Sequence, residues 1–309
     1  MDISVVIPVY NEEANLLALY NRLLGVLAGI SPAYELIFVN DGSSDQSLRL
    51  IKELAAQQPK VKFIDFSRNF GHQIAVSAGL DLAVGKAVVI IDSDLQDPPE
   101  VIAGLYTRWQ QGYEVVYGRR RQRPGESVTK KLTATFFYRL LARITHIPIP
   151  VDSGDFRIIG RKVVEALKQM PEKQKFIRGQ ISWVGFKQTY LEYDRAERNG
   201  GQTGYTYVKM IRLALDAITS FSNLPLKIAT LSGFLVSGVA FLLMLYTLYS
   251  RFITKDYVPG WSSLMLSVLF LGGVQLISIG IIGEYISRLS DNVRNRPLYI
   301  INETNITGA

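Results

Sequence analysis

The chain has 309 residues, 48% hydrophobic and 20% charged, with a formal net charge of +7 and no cysteine. That length allows a catalytic domain plus an addition, and the missing cysteines exclude a disulfide framework and any thiolate metal site. The basic balance suits an anionic partner, but charge is dense only to about Arg212 and sparse through most of the remaining chain, as in a soluble part joined to a membrane part.

The N-terminus lacks the basic region of a signal peptide: Met1-Asp2 runs directly into Ile3–Ile7 and Pro8, so the catalytic part is expected to stay where it is made. Apolar, β-branched runs predict strands over Ile3–Val9, Glu35–Asn40, Lys62–Phe66, Ala87–Ile91 and Val115–Tyr117. Helical patterns fall between them near Glu12–Leu27, Asp45–Ala56, His72–Leu82 and Pro99–Gln111. Alternation of this kind predicts an α/β domain, a mostly parallel sheet flanked by helices, with ligands bound beyond the carboxyl ends of the strands.

Polar clusters follow each of the first four strands: Pro8-Val9-Tyr10-Asn11-Glu12-Glu13, Asn40-Asp41-Gly42-Ser43-Ser44-Asp45, Ser67-Arg68-Asn69-Phe70-Gly71-His72, and Asp92-Ser93-Asp94-Leu95-Gln96-Asp97-Pro98-Pro99. Each alone reads as a turn or a helix cap; together, at one sheet edge, they predict a shared site. Neither a Gly-x-Gly-x-x-Gly nor a Walker loop is present, so phosphates need another holder. Asp92 and Asp94, with Gln96 as a third oxygen, suit Mg²⁺ or Mn²⁺, and the cation would neutralise a diphosphate leaving group. With only His72 and His146 available, a zinc site is disfavoured, and His72 reads as a helix-start or supporting residue.

After the fifth strand come Arg119, Arg120, Arg121 and Arg123, then Lys130 and Lys131, the densest positive charge in the chain. No aromatic side chains interleave with it to stack bases, so nucleic acid is disfavoured; beside a membrane segment a lipid phosphate is the simpler ligand, with a solvated basic loop as the alternative. Asp155 is a candidate base or orienting carboxylate, or else the partner of a nearby arginine.

Residues 204–226 carry Val208, Ile211, Leu215, Ile218 and Phe221 at helical spacing and predict an amphipathic juxtamembrane helix. Two uncharged stretches come next, Ile228–Ser250 and Tyr257–Gly283, giving expected spans over 227–250 and 261–286 joined by a short extracytoplasmic loop, 251–260; each is long enough for a hydrocarbon core of about 30 Å. Lys209, Arg212 and Lys227 precede this hairpin and Arg288, Arg294 and Arg296 come after it, so the domain over 1–203 and the tail over 287–309 are expected in the cytoplasm. Within the second span Gln275 is expected to hydrogen-bond a neighbouring helix. In the tail, 297–302 predicts a strand, added either to its own sheet or to that of another subunit; the latter would favour a homo-oligomer, dimer or tetramer.

Val6-Ile7-Pro8-Val9-Tyr10-Asn11-Glu12, Val39-Asn40-Asp41-Gly42-Ser43-Ser44-Asp45 and Asp92-Ser93-Asp94 resemble the signature segments of glycosyltransferase family 2, which has the GT-A fold; the resemblance covers roughly residues 1–200. Asp94-Leu95-Gln96-Asp97-Pro98-Pro99-Glu100 is similar to the polyprenyl-phosphate branch, and the two spans look most like bactoprenol glucosyltransferases. The resemblance implies an integral protein of the inner or plasma membrane that moves a hexose, with UDP-glucose as the expected donor, onto polyprenyl phosphate with inversion. It implies that Pro8, Tyr10, Glu12 and Asp41 hold the nucleobase and ribose, that Asp92, Asp94 and Gln96 hold the metal and diphosphate, and that Arg198 contacts donor phosphates. Many relatives have Ser-Lys-Tyr where this chain has Thr203-Gly204-Tyr205. Competing readings are a processive polysaccharide synthase, for which Arg108-Trp109 is a partial match, and a lipid-binding scaffold without catalysis.

Overall fold

The computed structural model describes residues 1–121, 153–194, 222–249, 252–253 and 260–307. The chain forms two compact units, Met1–Thr206 with Arg296–Ala309, and Tyr207–Asn295. In the first, strands β1 (Ile3–Val9), β2 (Tyr34–Asn40), β3 (Val61–Phe66), β4 (Ala87–Ile90) and β5 (Val115–Arg120) alternate with helices α1 (Glu13–Ala28), α2 (Ser47–Gln57), α3 (His72–Leu82) and α4 (Val101–Gln110). Every residue of β1 and β2 is buried, which is why both read as continuous apolar runs rather than alternating ones.

Helix α1 buries Leu16, Leu19, Leu23 and Leu27, a single stripe at three- and four-residue spacing. Helix α3 buries small residues instead. A Cβ at Gly79 would lie 2.2 Å from Val6 Cγ1, so α3 approaches β1 more closely than any side chain would allow.

Next come β6 (Ser153–Gly160), helices α5 (Arg161–Lys168) and α6 (Ile177–Trp183), and β7 (Gln188–Tyr193); the last strand, β8 (Ile301–Thr304), lies near the C-terminus. The sheet order is β7-β5-β6-β4-β1-β2-β3-β8. Pairs β4–β1, β1–β2 and β2–β3 are parallel, as the alternating pattern predicts, and β5–β7 is parallel as well. Strands β6 and β7 and helices α5 and α6 were not predicted, and β6 is antiparallel to both β4 and β5 and wedged between them. It opens on Ser153-Gly154-Asp155, a loop-like sequence, and its apolar content is confined to Phe156, Ile158 and Ile159. Two cores result. Phe156 and Ile158 pack on the α1 side with Leu16 and Phe38, while Ile159 packs with Val6, Ala75 and Ile181 on the α3 and α6 side.

The tail strand is placed at 301–304 rather than 297–302. It pairs antiparallel with β3 of its own sheet, so it gives no argument for strand exchange between subunits. Pro297 and Leu298 are spent on the approach, and Tyr299 stacks on Phe66 with ring centroids 5.2 Å apart.

The second unit holds helices α7 (Leu224–Tyr249) and α8 (Trp261–Val293). Tyr285 Oη donates to the Ser222 carbonyl at 2.6 Å, which sets the end of α8 beside the start of α7, an antiparallel hairpin. Leu224–Leu243 and Phe270–Val293 have mean hydropathies of 1.9 and 1.4 and are long and apolar enough to cross a membrane. Leu231, Phe234 and Leu276 are exposed on them; helices of a soluble core would bury such side chains. Helix α8 continues past the expected end at 286, and its added turn carries Arg288 paired with Glu284 at 3.0 Å. Gln275 does not make the expected interhelical bond: its side chain is exposed, with no partner among the described residues. The expected juxtamembrane helix and loop, apart from 222–226, 252–253 and 260, lie outside the described residues.

Candidate active site

The polar segments after β1, β2, β3 and β4 interlock at the carboxyl edge of the sheet. Asn11 adopts a left-handed φ of 54°, tolerable for asparagine, and its Oδ1 accepts Ser44 N at 2.8 Å. Ser43 Oγ accepts Asn11 N and Ser47 Oγ accepts Glu12 N, each at 3.0 Å, and Asp45 Oδ2 accepts Glu13 N at 3.1 Å. Gly42 (φ 67°) lies against the next loop, where a Cβ would sit 2.6 Å from Arg68 C and Asn69 N. Ser93 Oγ donates to the Pro8 carbonyl at 2.9 Å, tying the aspartate segment to β1.

Tyr10, just past β1, is 51% exposed and presents an open ring. The Glu12 carboxylate accepts Asn15 Nδ2 at 2.6 Å. Asp41 is buried, and its carboxylate accepts Phe70 N at 2.6 Å and Gly71 N at 3.0 Å. Burial raises its pKa, and those two N–H groups offset part of the rise. In this geometry Asp41 shapes the β3–α3 loop.

Asp92 and Asp94 come after β4. Leu95 has a φ of 58°, costly for a branched side chain, and the turn lets Asp94 Oδ1 accept Gln96 N at 3.1 Å. Asp92 Oδ1 and Asn40 Oδ1 are the buried side-chain atoms without a hydrogen-bond partner among the described residues. Interiors otherwise pair their polar atoms, so an orphaned carboxylate oxygen at a site edge fits a cation. No cluster of three acidic or histidine side chains with metal-binding geometry occurs among the described residues, and the Gln96 side-chain amide bonds to neither aspartate. Two carboxylates therefore fit an ion such as Mg²⁺ or Mn²⁺ that keeps water and phosphate oxygens. Burial, aided by the charges of Asp155, Asp97 and Asp94 and opposed by His72, pushes Asp92 up to about 6.

Two charged clusters flank Asp92 on opposite faces of β5 and β6. On the α4 side Asp97, fully buried, accepts the Tyr193 hydroxyl and lies 3.4 Å from Arg120 Nη2. Arg120, read from the sequence as an acceptor-phosphate group, is thus already paired at the sheet edge and is packed over Gly154, where a Cβ would meet it at 2.6 Å. Arg119 sits over the Tyr190 ring at 5.0 Å and lies 3.9 Å from Glu192.

On the α3 side Asp155 accepts Arg178 Nε at 2.6 Å, Gln73 Nε2 at 3.1 Å and faces His72 Nε2 at 3.2 Å. His72 Nε2 also lies 3.6 Å from Asp92 Oδ1. Burial raises Asp155, but the Arg178 charge and the His72 bond overcome it and hold the carboxyl well below the usual range. For His72 burial lowers the pKa, yet the Asp155 bond and the charges of Asp92 and Asp155 carry it to about 9. At neutral pH this favours the protonated form of His72, set between the two carboxylates.

Arg123, Lys130 and Arg198 lie outside the described residues. Arg178, Gln73 and Tyr193 were not anticipated: each is distant in sequence from its carboxylate and carries no local pattern. Trp109 approaches Gly160, which pairs with Ala87 at the start of β4, the end of the strand remote from Asp92.

This edge, with interlocked polar loops and paired aspartates on a mixed sheet, is that of a glycosyltransferase of the GT-A type. The chain belongs to glycosyltransferase family 2: residues 4–168 match the family described as Glycosyl transferase family 2, and residues 224–289 match the GtrB C-terminal hairpin. It is 51% identical to the uncharacterized glycosyltransferase YkcC of Bacillus subtilis, over 97% of this chain and 93% of the relative. It is 44% identical to the prophage bactoprenol glucosyl transferase homolog of Escherichia coli, over 97% and 98% respectively. A mycobacterial protein of known crystal structure shares the fold at 21% identity and a TM-score of 0.50, covering 71% of this chain and 72% of its own.

Proposed function

We propose that the protein transfers a hexose from a nucleotide sugar, with UDP-glucose as the donor, to the phosphate of a polyprenyl lipid, with inversion and in the presence of Mg²⁺ or Mn²⁺. The observation that carries this reading is the Asp92–Asp94 pair at the carboxyl edge of β4, with the buried, unbonded Asp92 Oδ1, in a chain similar along nearly its whole length to bactoprenol glucosyl transferases. Tyr10 offers an open ring for the base, and Pro8, Glu12 and Asp41 build the loops around it. When bound, the cation held by Asp92 and Asp94 supplies charge neutralisation for the departing diphosphate.

The acceptor needs little activation. A phosphate monoester has a second pKa of about 6 and is largely dianionic at neutral pH. One of its oxygens displaces the nucleoside diphosphate at the anomeric carbon: the new C–O bond forms as the old one breaks, and the bonding pair leaves with the diphosphate. Asp155, held ionised by Arg178 and His72, is then an orienting group rather than a proton acceptor, and most of the rate comes from positioning. The basic segment holding Arg119, Arg120, Arg123 and Lys130 would face the lipid phosphate, with Arg198 on the donor phosphates. The basic residues flanking both ends of the hairpin favour a catalytic unit on the cytoplasmic side of the inner or plasma membrane.

The test is a panel of labelled nucleotide sugars with purified protein, polyprenyl phosphate and Mn²⁺, scoring label in the organic phase. Transfer from UDP-glucose that disappears in EDTA is expected. Full activity in saturating EDTA would remove the metal from the reading. Failure of UDP with Mn²⁺ to raise the melting temperature would favour a scaffold instead.

A further inference from the structure

Arg157 is the buried cation that the proposed reaction does not use. It lies on β6 in register with Ile90 of β4 and Tyr117 of β5, and it is 3% exposed. Its side chain shares the α3 face with Asp155, since Phe156 and Ile158 between and beyond them point to the other core. Among the described residues no carboxylate lies within ion-pair distance of it. Its two hydrogen bonds go to main-chain carbonyls: Nη2 to Gly154 at 2.9 Å and Nε to Asp155 at 3.3 Å.

A guanidinium buried without a carboxylate is expensive, and a leucine or methionine would fill the same volume at less cost. One feature accounts for its presence. The planar fork grips consecutive carbonyls, a geometry that lysine cannot reproduce, and it does so at the residue whose side chain Arg178 and His72 position. Gly154 is also pressed from the opposite face by Arg120, so the start of β6 is clamped between two guanidiniums.

We infer that Arg157 is a positioning residue of the transfer site: it fixes the Gly154–Asp155 backbone and with it the Asp155 carboxylate that Arg178 and His72 hold. The inference rests on the acceptor reading above. The test compares Arg157→Lys and Arg157→Met in the full-length protein, measuring kcat, donor KM and acceptor KM with polyprenyl phosphate. Both variants lose the fork, so kcat should fall about tenfold or more in each while donor KM and acceptor KM stay nearly unchanged. Stabilisation by UDP with Mn²⁺ on the same samples reports folding. Wild-type kcat in the lysine variant overturns the inference. So does a lysine variant that no longer binds UDP, which would mark Arg157 as purely structural, and so does a parallel rise of both KM values in both variants. Wild-type protein that passes no label to the lipid overturns the acceptor reading itself, and the inference with it; wild-type transfer with unaltered variants overturns the inference alone.

Discussion

Asp155 and Arg178 are 23 residues apart in the chain, yet Arg178 Nε donates to Asp155 Oδ1 at 2.6 Å and Nη2 to Oδ2 at 3.2 Å. The pair is largely buried, and removing Arg178 leaves the Asp155 carboxylate with His72 and Gln73 alone. Arg178→Ala is expected to destabilise the protein by about 3–5 kcal/mol and to abolish transfer. In the double variant Asp155→Asn/Arg178→Ala much of the stability should return while activity does not. Apparent melting temperature in detergent and label transfer separate the two effects. A stable, active Arg178→Ala would show that Asp155 is positioned by His72 and Gln73 alone. Because the folded-state pKa of Asp155 is depressed, the stabilisation it provides is fully present above the ordinary carboxylate range of about 3.9 and is lost as pH falls below it.

Asp92 has the opposite sign. Its folded-state pKa is raised from 3.8 to about 6, so the metal-free folded protein binds a proton that the unfolded chain has released. Stability therefore declines as pH rises through that window, by at most about 3 kcal/mol and less given partial solvent access. Asp92→Asn should raise the melting temperature of the EDTA-treated protein at pH 8 and change it far less at pH 4.5, while transfer is lost at both. Equal shifts at the two pH values would mean that the Asp92 charge is not under strain in the metal-free state.

The contrast between these two aspartates marks what the sequence discloses. Asp92 stands at the end of an apolar run, and periodicity alone puts it on the ligand edge. The same logic places Asn11, Asp41 and Asp94, because parallel strands bring the residues after them to one edge. Asp155 belongs to a strand that runs the other way and opens on Ser153-Gly154, with no alternating pattern to reveal it. Arg178 and Gln73 reach it from helices packed on one face, and their spacing to Asp155 depends on tertiary contacts. The hairpin is legible because membrane thickness sets a length that composition must satisfy; the register of β8 is not, because Tyr299 docks before the strand begins and shifts it along the tail.

Gly42 offers a sharp test of the loop assembly. Its φ of 67° and the 2.6 Å approach of Arg68 C and Asn69 N leave no room for a side chain. Both obstacles are backbone atoms, so relief requires moving the β3–α3 loop that Asp41 organises through Phe70 N and Gly71 N. Gly42→Ala should cost about 1–3 kcal/mol for the backbone conformation, with further cost from the clash. Donor KM should rise more than acceptor KM, since the displaced loops border Tyr10 and Glu12. Unchanged donor KM together with unchanged melting temperature would remove this loop contact from the donor site.

The tail supplies the last prediction. Beyond the β3–β8 ladder, Asn305 Oδ1 accepts Phe63 N at 2.8 Å, Asn302 Nδ2 donates to Asp65 Oδ2 at 2.8 Å, and Tyr299 Oη donates to Asp81 at 3.1 Å. Deleting residues 297–309 would bare the β3 edge, expose Phe66 and strip partners from two carboxylates. A naked apolar edge strand pairs with other chains. The truncated protein should therefore melt at lower temperature and aggregate with time, even in detergent that keeps the hairpin dispersed. Tyr299→Phe removes only the Asp81 bond; burial already raises the Asp81 pKa, and Lys168 and Lys175 remain nearby, so that change should cost about 1–2 kcal/mol. Size analysis separates this from a strand exchanged between subunits: in that case truncation would yield smaller, monodisperse particles of unaltered stability. In the intrachain arrangement, loss of stability precedes any change in assembly, because the strand completes the sheet of the same chain that carries it.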